Sequence, residues 1–392
     1  MKRILTLDGG GIRGVFTLKV LRRIEEIFRT ERGDPGLVLR DVFDLFAGTS
    51  TGAIIATFLA WGTSVEEIEQ LYVKSAQTMF APAPWYRRHK AKFLPTEISN
   101  FFEQQFRDAD GTPSRLGTRK FYASPEATVP KYLLVVMRDA TTGSSWPVNN
   151  NPLDEHNRRT DLQMECNLDI PLASLLRAST AAPTFFPPET IVLNRGPHIF
   201  LDGGITPYNN PSLIAALMAT LPRHNLNWET GPDKIQLISV GTGHSRICLD
   251  KKDAERVHLL DQVKYVVPAL MHTVAKEQDK ICRVLGHSVN ARENDDENED
   301  PNGKTRLLTP AEKKFTYARY NHEFSGEESE EAKRIIMQNF TCRDRLLNAV
   351  FEDKSNQALI MDKVSLIDFF QRTGAAYARK SVKPEHLSPG IR

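Results

Sequence analysis

Twice within its first 61 residues the chain runs from a short apolar stretch into a glycine cluster and out into an apolar helical pattern. Arg3–Leu7 stops at Asp8-Gly9-Gly10-Gly11-Ile12-Arg13-Gly14, after which Leu18, Leu21, Ile24, Ile27 and Phe28 recur at helical spacing. Val42–Ala47 stops at Gly48-Thr49-Ser50-Thr51-Gly52, and Ala53–Trp61 follows as an apolar helix. Val65–Phe80 is helical in pattern, and Lys131–Met137, Ile199–Leu201 and Ile235–Val240 are further strand candidates. Strands alternating with helices predict an α/β fold with a mainly parallel central sheet flanked by helices on both faces.

The 392 residues exceed what one compact core usually takes. The sequence predicts an α/β core over residues 1–245 and a mostly helical C-terminal part over 246–392, packed on the core or regulatory. Glu293–Asp300 reads as a solvated acidic loop, and Pro310–Ala378 as charged and mostly helical. Lys plus Arg number 51 and Asp plus Glu 49. A net charge of +2 gives no global attraction to DNA or RNA, so no nucleic-acid polymer is expected as a partner. No stretch approaches the roughly 18 apolar residues of a membrane span. Met1-Lys2-Arg3 opens like a signal peptide, but Asp8 breaks the apolar run that follows. Cys166, Cys248, Cys282 and Cys342 lie far apart with no C-x-x-C pair. That spacing predicts free thiols in a reducing, cytoplasmic setting, with neither zinc nor a disulfide framework.

The first glycine cluster supports two readings. Glycines 9, 11 and 14 satisfy G-x-G-x-x-G between strand and helix, the dinucleotide fingerprint. Equally, consecutive glycines expose backbone N–H groups at a helix N-terminus, which suits a phosphate or the oxyanion of a tetrahedral intermediate. The second cluster favours the oxyanion. Gly48-Thr49-Ser50-Thr51-Gly52 fits G-x-S-x-G, the nucleophile elbow, in its strand-turn-helix context. Gly48 and Gly52 remove side chains that would clash in the sharp turn, and the Thr51 N–H is placed to donate to an oxyanion. The dinucleotide reading also lacks an acidic residue closing a second strand some 20 residues on. A serine hydroxyl needs a base. None of the ten histidines has a setting that marks it as one. Asp202 closes the apolar run 198–201 before Gly203-Gly204, where open α/β sheets place their sites, although Asp-Gly-Gly is also an ordinary turn.

Together these residues resemble the patatin-like phospholipase family, which carries D-G-G-G-x-R-G, then G-x-S-x-G, then D-G-G or D-G-A. Here the three occur at 8–14, 48–52 and 202–204, and Ala178–Pro188 and Asn209-Asn210-Pro211 also resemble family blocks. The resemblance covers roughly residues 1–245. It implies a patatin-like three-layer sandwich and a Ser50–Asp202 dyad, with Asp202 as base for Ser50 and then for water. It implies an oxyanion hole from Gly9, Gly10, Gly11 and Thr51, with Arg13 ordering the loop. No metal or other cofactor is implied. Asn298, Asp300, Asn302 and Gly303 loosely match the start of a calcium loop, but Pro301 interrupts it and Thr309 stands where Glu is required.

The same resemblance implies release of fatty acids from membrane phospholipids by a carboxylic ester hydrolase acting at the inner membrane surface. Trp85, Tyr86, Arg87, Arg88, Lys90 and Lys92 form a basic aromatic patch suited to peripheral contact with an anionic bilayer. Some bacterial members of this size are antiphage effectors switched on by cyclic oligonucleotides. A cyclic di- or trinucleotide is therefore an expected activator, with Arg119, Lys120, Arg158 and Arg159 as candidate contacts, although no motif marks a nucleotide pocket. An ungated housekeeping or secreted lipase, and a catalytically idle scaffold or nucleotide-binding regulator, are the competing readings. Each is compatible with a homo-oligomer.

Overall fold

The computed structural model describes residues 1–80, 91–158, 166–193, 196–245, 259–290, 308–338 and 362–388, with side chains described for all of these but 259–268. Its centre is a sheet built around β1 (Lys2–Leu7), which pairs in parallel with β2 (Leu45–Thr49) on one side and with β7 (Ile235–Val240) on the other. Beyond β2 lies β3 (Tyr132–Asp139), parallel to it, and β4 (Ser144–Asn149) pairs antiparallel with β3. The antiparallel hairpin of β5 (Glu189–Leu193) and β6 (Gly196–Asp202) joins β3 through β6, giving the order β5-β6-β3-β2-β1-β7, and two further strands follow β7.

Alternation along the strands feeds two cores. Leu5, Leu7, Phe46, Leu133, Val135 and Ile238 join one cluster; Ile4, Leu45, Ala47, Leu134, Val136 and Leu237 join the other. Successive side chains of a strand point to opposite faces, so a sheet buried on both faces needs apolar residues at nearly every position. On the first face pack α1 (Gly14–Arg32) and α3 (Thr51–Trp61), separated in sequence by the single turn α2 (Leu39–Val42), with α4 (Val65–Met79), α5 (Pro95–Gln105) and α6 (Leu172–Ser179). Every residue of α3 from Thr51 to Ala60 is buried, which is why it is apolar all round. On the second face lie α7 (Ser212–Thr220) and α8 (Leu259–Leu285), the latter contributing Cys282 and Leu285. The result is the three-layer arrangement.

Two sequence expectations differ from this. The second strand begins at Leu45, not Val42, because Leu39–Val42 forms a helical turn whose Asp41 carboxylate accepts the Val38 N–H at 3.1 Å. The sheet also continues past residue 245. Two strands, β8 (Gly286–Ser288) and β9 (Phe315–Tyr320), add in parallel beyond β7. The helices α9 (Gly326–Gln338) and α10 (Ile367–Ser381) follow, and α10 crosses α1 so closely that a Cβ on Gly374 would lie 3.1 Å from the Phe16 backbone. Among the described residues no helix is long and apolar enough to cross a membrane.

Candidate active site

The site forms where strands end. Register along β3 shows how. Thr49, the last residue of β2, pairs with Val136, while Asp202, the last residue of β6, pairs with Met137. Val136 and Met137 both also pair with β4, so β2 and β6 share the opposite edge of β3. One arrives parallel and the other antiparallel, and their ends meet head to head. Ser50 follows β2 directly, so it faces Asp202: the Ser50 hydroxyl donates to Asp202 Oδ2 at 2.6 Å. Among the described residues no histidine hydrogen-bonds either of them.

Ser50 has φ 54° and ψ −124°, a left-handed conformation that a side chain rarely adopts. Such strain costs about 1–3 kcal/mol and persists only where the surroundings enforce it. Here the Ser50 N–H donates to Ser179 Oγ at 3.0 Å, and the Ser50 carbonyl accepts from the N–H groups of Ala53 and Ile54 at 2.9 and 3.2 Å. The elbow glycines answer a close approach. A Cβ on Gly48 would lie 2.2 Å from the Gly52 carbonyl oxygen, and one on Gly52 would lie 2.2 Å from that of Leu7. Helix α3 therefore starts in direct backbone contact with β1.

Asp202 is 5 % exposed. Its Oδ1 accepts the Gly204 N–H at 2.7 Å. Burial pushes its carboxyl up to about 6, against the pull of the Ser50 hydroxyl, the Gly204 N–H and the Arg177 charge. Arg177 is itself buried, donates to the Pro187 carbonyl at 2.6 Å, and lies over the Phe186 ring.

The glycine loop lies beside this pair. Gly9 is not a free donor, because its N–H is taken by the Asn209 carbonyl at 3.2 Å. Among the described residues no acceptor takes the N–H of Gly10 or Gly11. The Gly11 carbonyl is gripped by two hydroxyls, Thr51 Oγ1 at 2.9 Å and Tyr72 at 2.7 Å, themselves 2.5 Å apart. Arg13 folds back on the loop, its N–H and Nε donating to the Gly10 carbonyl at 3.3 and 3.4 Å. Asp8, which opens the loop, is held by an arginine more than 300 residues away. Arg319 on β9 donates to both Asp8 oxygens at 2.7 and 2.5 Å, and to Ser239 Oγ at 2.7 Å. Burial opposes the charge, but the Asp8 carboxylate holds the Arg319 guanidinium above its usual range.

Ser179, Tyr72, Asn209 and Arg319 carry no mark in the sequence as site residues. Ser179 and Asn209 sit in blocks that resemble the family, but nothing local gives their roles. Tyr72 and Arg319 have no local signal beyond an arginine in an aromatic, strand-like run. Trp85, Tyr86, Arg87, Arg88 and Lys90 lie outside the described residues, as do Arg159 and the 298–303 segment. Lys92, counted in the basic patch, instead pairs with Asp362 and lies over the Phe185 ring. Arg119 is exposed, and its guanidinium donates to the carbonyls of Pro125 and Ala127 and stacks on Tyr122. Among the described residues no group of His, Cys, Asp and Glu could hold a metal ion, and Cys166 and Cys282 are free thiols.

A family model for patatin-like phospholipase matches residues 5–216, more than half of the chain and all of the site except the Arg319–Ser239 brace on Asp8. The chain belongs to the patatin-like phospholipase family. Among relatives, a cGAMP-activated phospholipase of Vibrio cholerae serotype O1 (strain ATCC 39315 / El Tor Inaba N16961) is 32 % identical over 225 residues, 54 % of this chain and 56 % of that one. A cGAMP-activated phospholipase of Escherichia coli (strain TW11681) is 31 % identical over 61 % of this chain and 62 % of its own. A cUMP-AMP-activated phospholipase of Escherichia coli is 29 % identical over 62 % and 64 %. The chain thus spans less than two thirds of the length of these relatives. In this patatin-like chain the matched segment supplies the elbow, the glycine loop and Asp202, while the brace on Asp8 comes from beyond it.

Proposed function

We propose that this protein is a serine lipid-acyl hydrolase of the phospholipase A type, releasing fatty acids from membrane phospholipids through Ser50 and Asp202. The observation that carries this is the 2.6 Å hydrogen bond from the Ser50 hydroxyl to a buried carboxylate. Asp202 takes the Ser50 proton as Oγ attacks the ester carbonyl. The N–H groups of Gly10, Gly11 and Thr51 receive the developing oxyanion. Collapse expels the lyso-lipid oxygen, which takes the proton from Asp202. Water then attacks the acyl-serine, Asp202 again accepting a proton and returning it to Ser50. Histidine has no part in this, and neither has a metal. Fluorophosphonate labelling tests it: the wild type reacts at Ser50, and Ser50→Ala does not. Labelling that survives the substitution defeats the assignment.

We further propose that the enzyme is a bacterial antiphage effector, cytoplasmic and acting at the inner membrane surface, switched on by a cyclic oligonucleotide. The support is that the similar proteins from Vibrio cholerae and Escherichia coli are named for activation by cGAMP and cUMP-AMP. Release of fatty acid from phospholipid vesicles, measured with and without a panel of cyclic di- and trinucleotides, decides. Full activity without any nucleotide ends the gated reading in favour of an ungated lipase. The 85–88 segment is proposed as a membrane contact. Replacing Arg87 and Arg88 by Ser weakens binding to anionic vesicles, and unchanged binding removes that role.

A further inference from the structure

Asn209 and Asn210 are adjacent asparagines with opposite fates. Asn210 is satisfied: its Oδ1 accepts from the Ser212 N–H at 3.1 Å and the Ser212 hydroxyl at 2.5 Å. Asn209 is 6 % exposed, and its Oδ1 is buried with no hydrogen-bond partner among the described residues. A fold retains an unpaired buried amide oxygen only against a penalty, so such an atom needs a reason. Its position supplies one. The point that a Gly9 Cβ would occupy is 2.5 Å from Asn209 Oδ1 and 3.3 Å from Ser50 Cβ. The corresponding point on Gly204 is 3.1 Å from Asn209 Oδ1, 3.0 Å from Asp202 Oδ1 and 2.9 Å from the Met271 methyl. The amide oxygen thus lies between the nucleophile and the carboxylate, and Gly9 and Gly204 lack the side chains that would collide with it.

We propose that Asn209 is a catalytic residue of the deacylation step, holding the water that hydrolyses the acyl-enzyme. This rests on the serine-hydrolase reading above. Once Ser50 is acylated its hydroxyl proton is gone, and Asp202 Oδ2 loses its donor. A water then donates one hydrogen to Asp202 and the other to Asn209 Oδ1, which points an oxygen lone pair at the acyl carbonyl. Attack forms the carbon–oxygen bond as Asp202 takes the first proton. The tetrahedral intermediate collapses by breaking the bond to Ser50 Oγ, which recovers that proton from Asp202. The fatty acid leaves with the hydrogen that Asn209 had held.

The role separates the two half-reactions. The probe is p-nitrophenyl butyrate in stopped flow, under the condition giving the wild type its highest turnover, beside the rate of fluorophosphonate labelling. Asn209→Ala leaves the labelling rate at the wild-type value and slows steady-state turnover by about 10- to 100-fold, the loss of one hydrogen bond to a buried group. A burst of about one p-nitrophenolate per Ser50 appears as the acyl-enzyme accumulates. Unchanged turnover, or labelling and turnover falling together, overturns the proposal. If Asn209→Ala does not fold, the isosteric Asn209→Asp decides. It keeps the acceptor, and its charge beside Asp202 moves the acid limb of turnover upward; an unmoved pH profile overturns the proposal. Absence of any Ser50 adduct in the wild type defeats the hydrolase reading itself, and is told apart by that result alone.

Discussion

Asp202 carries a charge in a place that disfavours charge, and both its reactivity and its stability effect follow. A carboxyl pushed up to about 6 is ionised at pH 7 yet more basic than an ordinary aspartate. Turnover of a soluble ester should fall about tenfold per pH unit below 6 and level off above it; a flat profile between pH 5 and 7 would contradict Asp202 as the base. Arg177 pulls this value down, so Arg177→Met should move the acid limb to higher pH. The same shift sets a stability effect. A folded value above the unfolded one means that the native state binds the proton more tightly, so stability declines as pH rises through the window from about 4 to 6. Asp202→Asn removes that penalty. It should abolish turnover and raise stability at pH 7.5 by up to about 3 kcal/mol, with the gain gone near pH 4, as read from urea unfolding at the two pH values.

At the scale of elements, the decisive event is two strand ends meeting on one edge of β3. The strand–turn–helix pattern around Ser50 is legible because it is local: an apolar run, two glycines and an apolar helix. The turn at Asp202 is legible only as a turn. That β6 runs antiparallel, and stops opposite Met137 just where β2 stops opposite Val136, is a matter of register that no local pattern encodes. Gly203 guards this junction, since a Cβ there would lie 2.3 Å from the Val136 carbonyl oxygen. Gly203→Ala should force β6 away from β3 and part Asp202 from Ser50. Overpacking of this kind costs about 1–3 kcal/mol, which a stable domain survives. The expected result is therefore a folded protein with fluorophosphonate labelling slowed by more than tenfold. Wild-type labelling in that variant would show that the junction tolerates the shift.

Across the whole molecule, Arg319 ties the C-terminal half to the glycine loop. Both members of the Asp8–Arg319 pair are nearly inaccessible, at 3 and 6 % exposure. Breaking a buried pair by removing one partner leaves the other charge stranded, at about 3–5 kcal/mol. Arg319→Met should destabilise by that amount in urea unfolding. The double variant Asp8→Asn with Arg319→Met should recover part of the loss, since no lone charge remains. Additive losses would mean that the two side chains act independently. The predicted boundary at 245 also cuts between β7 and its neighbour β9, leaving the polar groups of β7 unpaired along one edge. A fragment ending there should aggregate or fail to label at Ser50, whereas the full chain labels.

The class of fold, the elbow at Ser50, the glycine loop and the candidacy of Asp202 can be read from the chain, because each is written in contiguous residues whose spacing dictates local backbone geometry. The tertiary structure alone decided that Asp202 touches Ser50, that Gly9 is spent on Asn209 while Gly10 and Gly11 are not, and that Asp8 is neutralised from β9. The physical reason is common to all three. Hydrogen bonds and ion pairs between residues far apart in sequence depend on register and strand order, which are set by burying two faces of one sheet at once and leave no periodic mark on the chain.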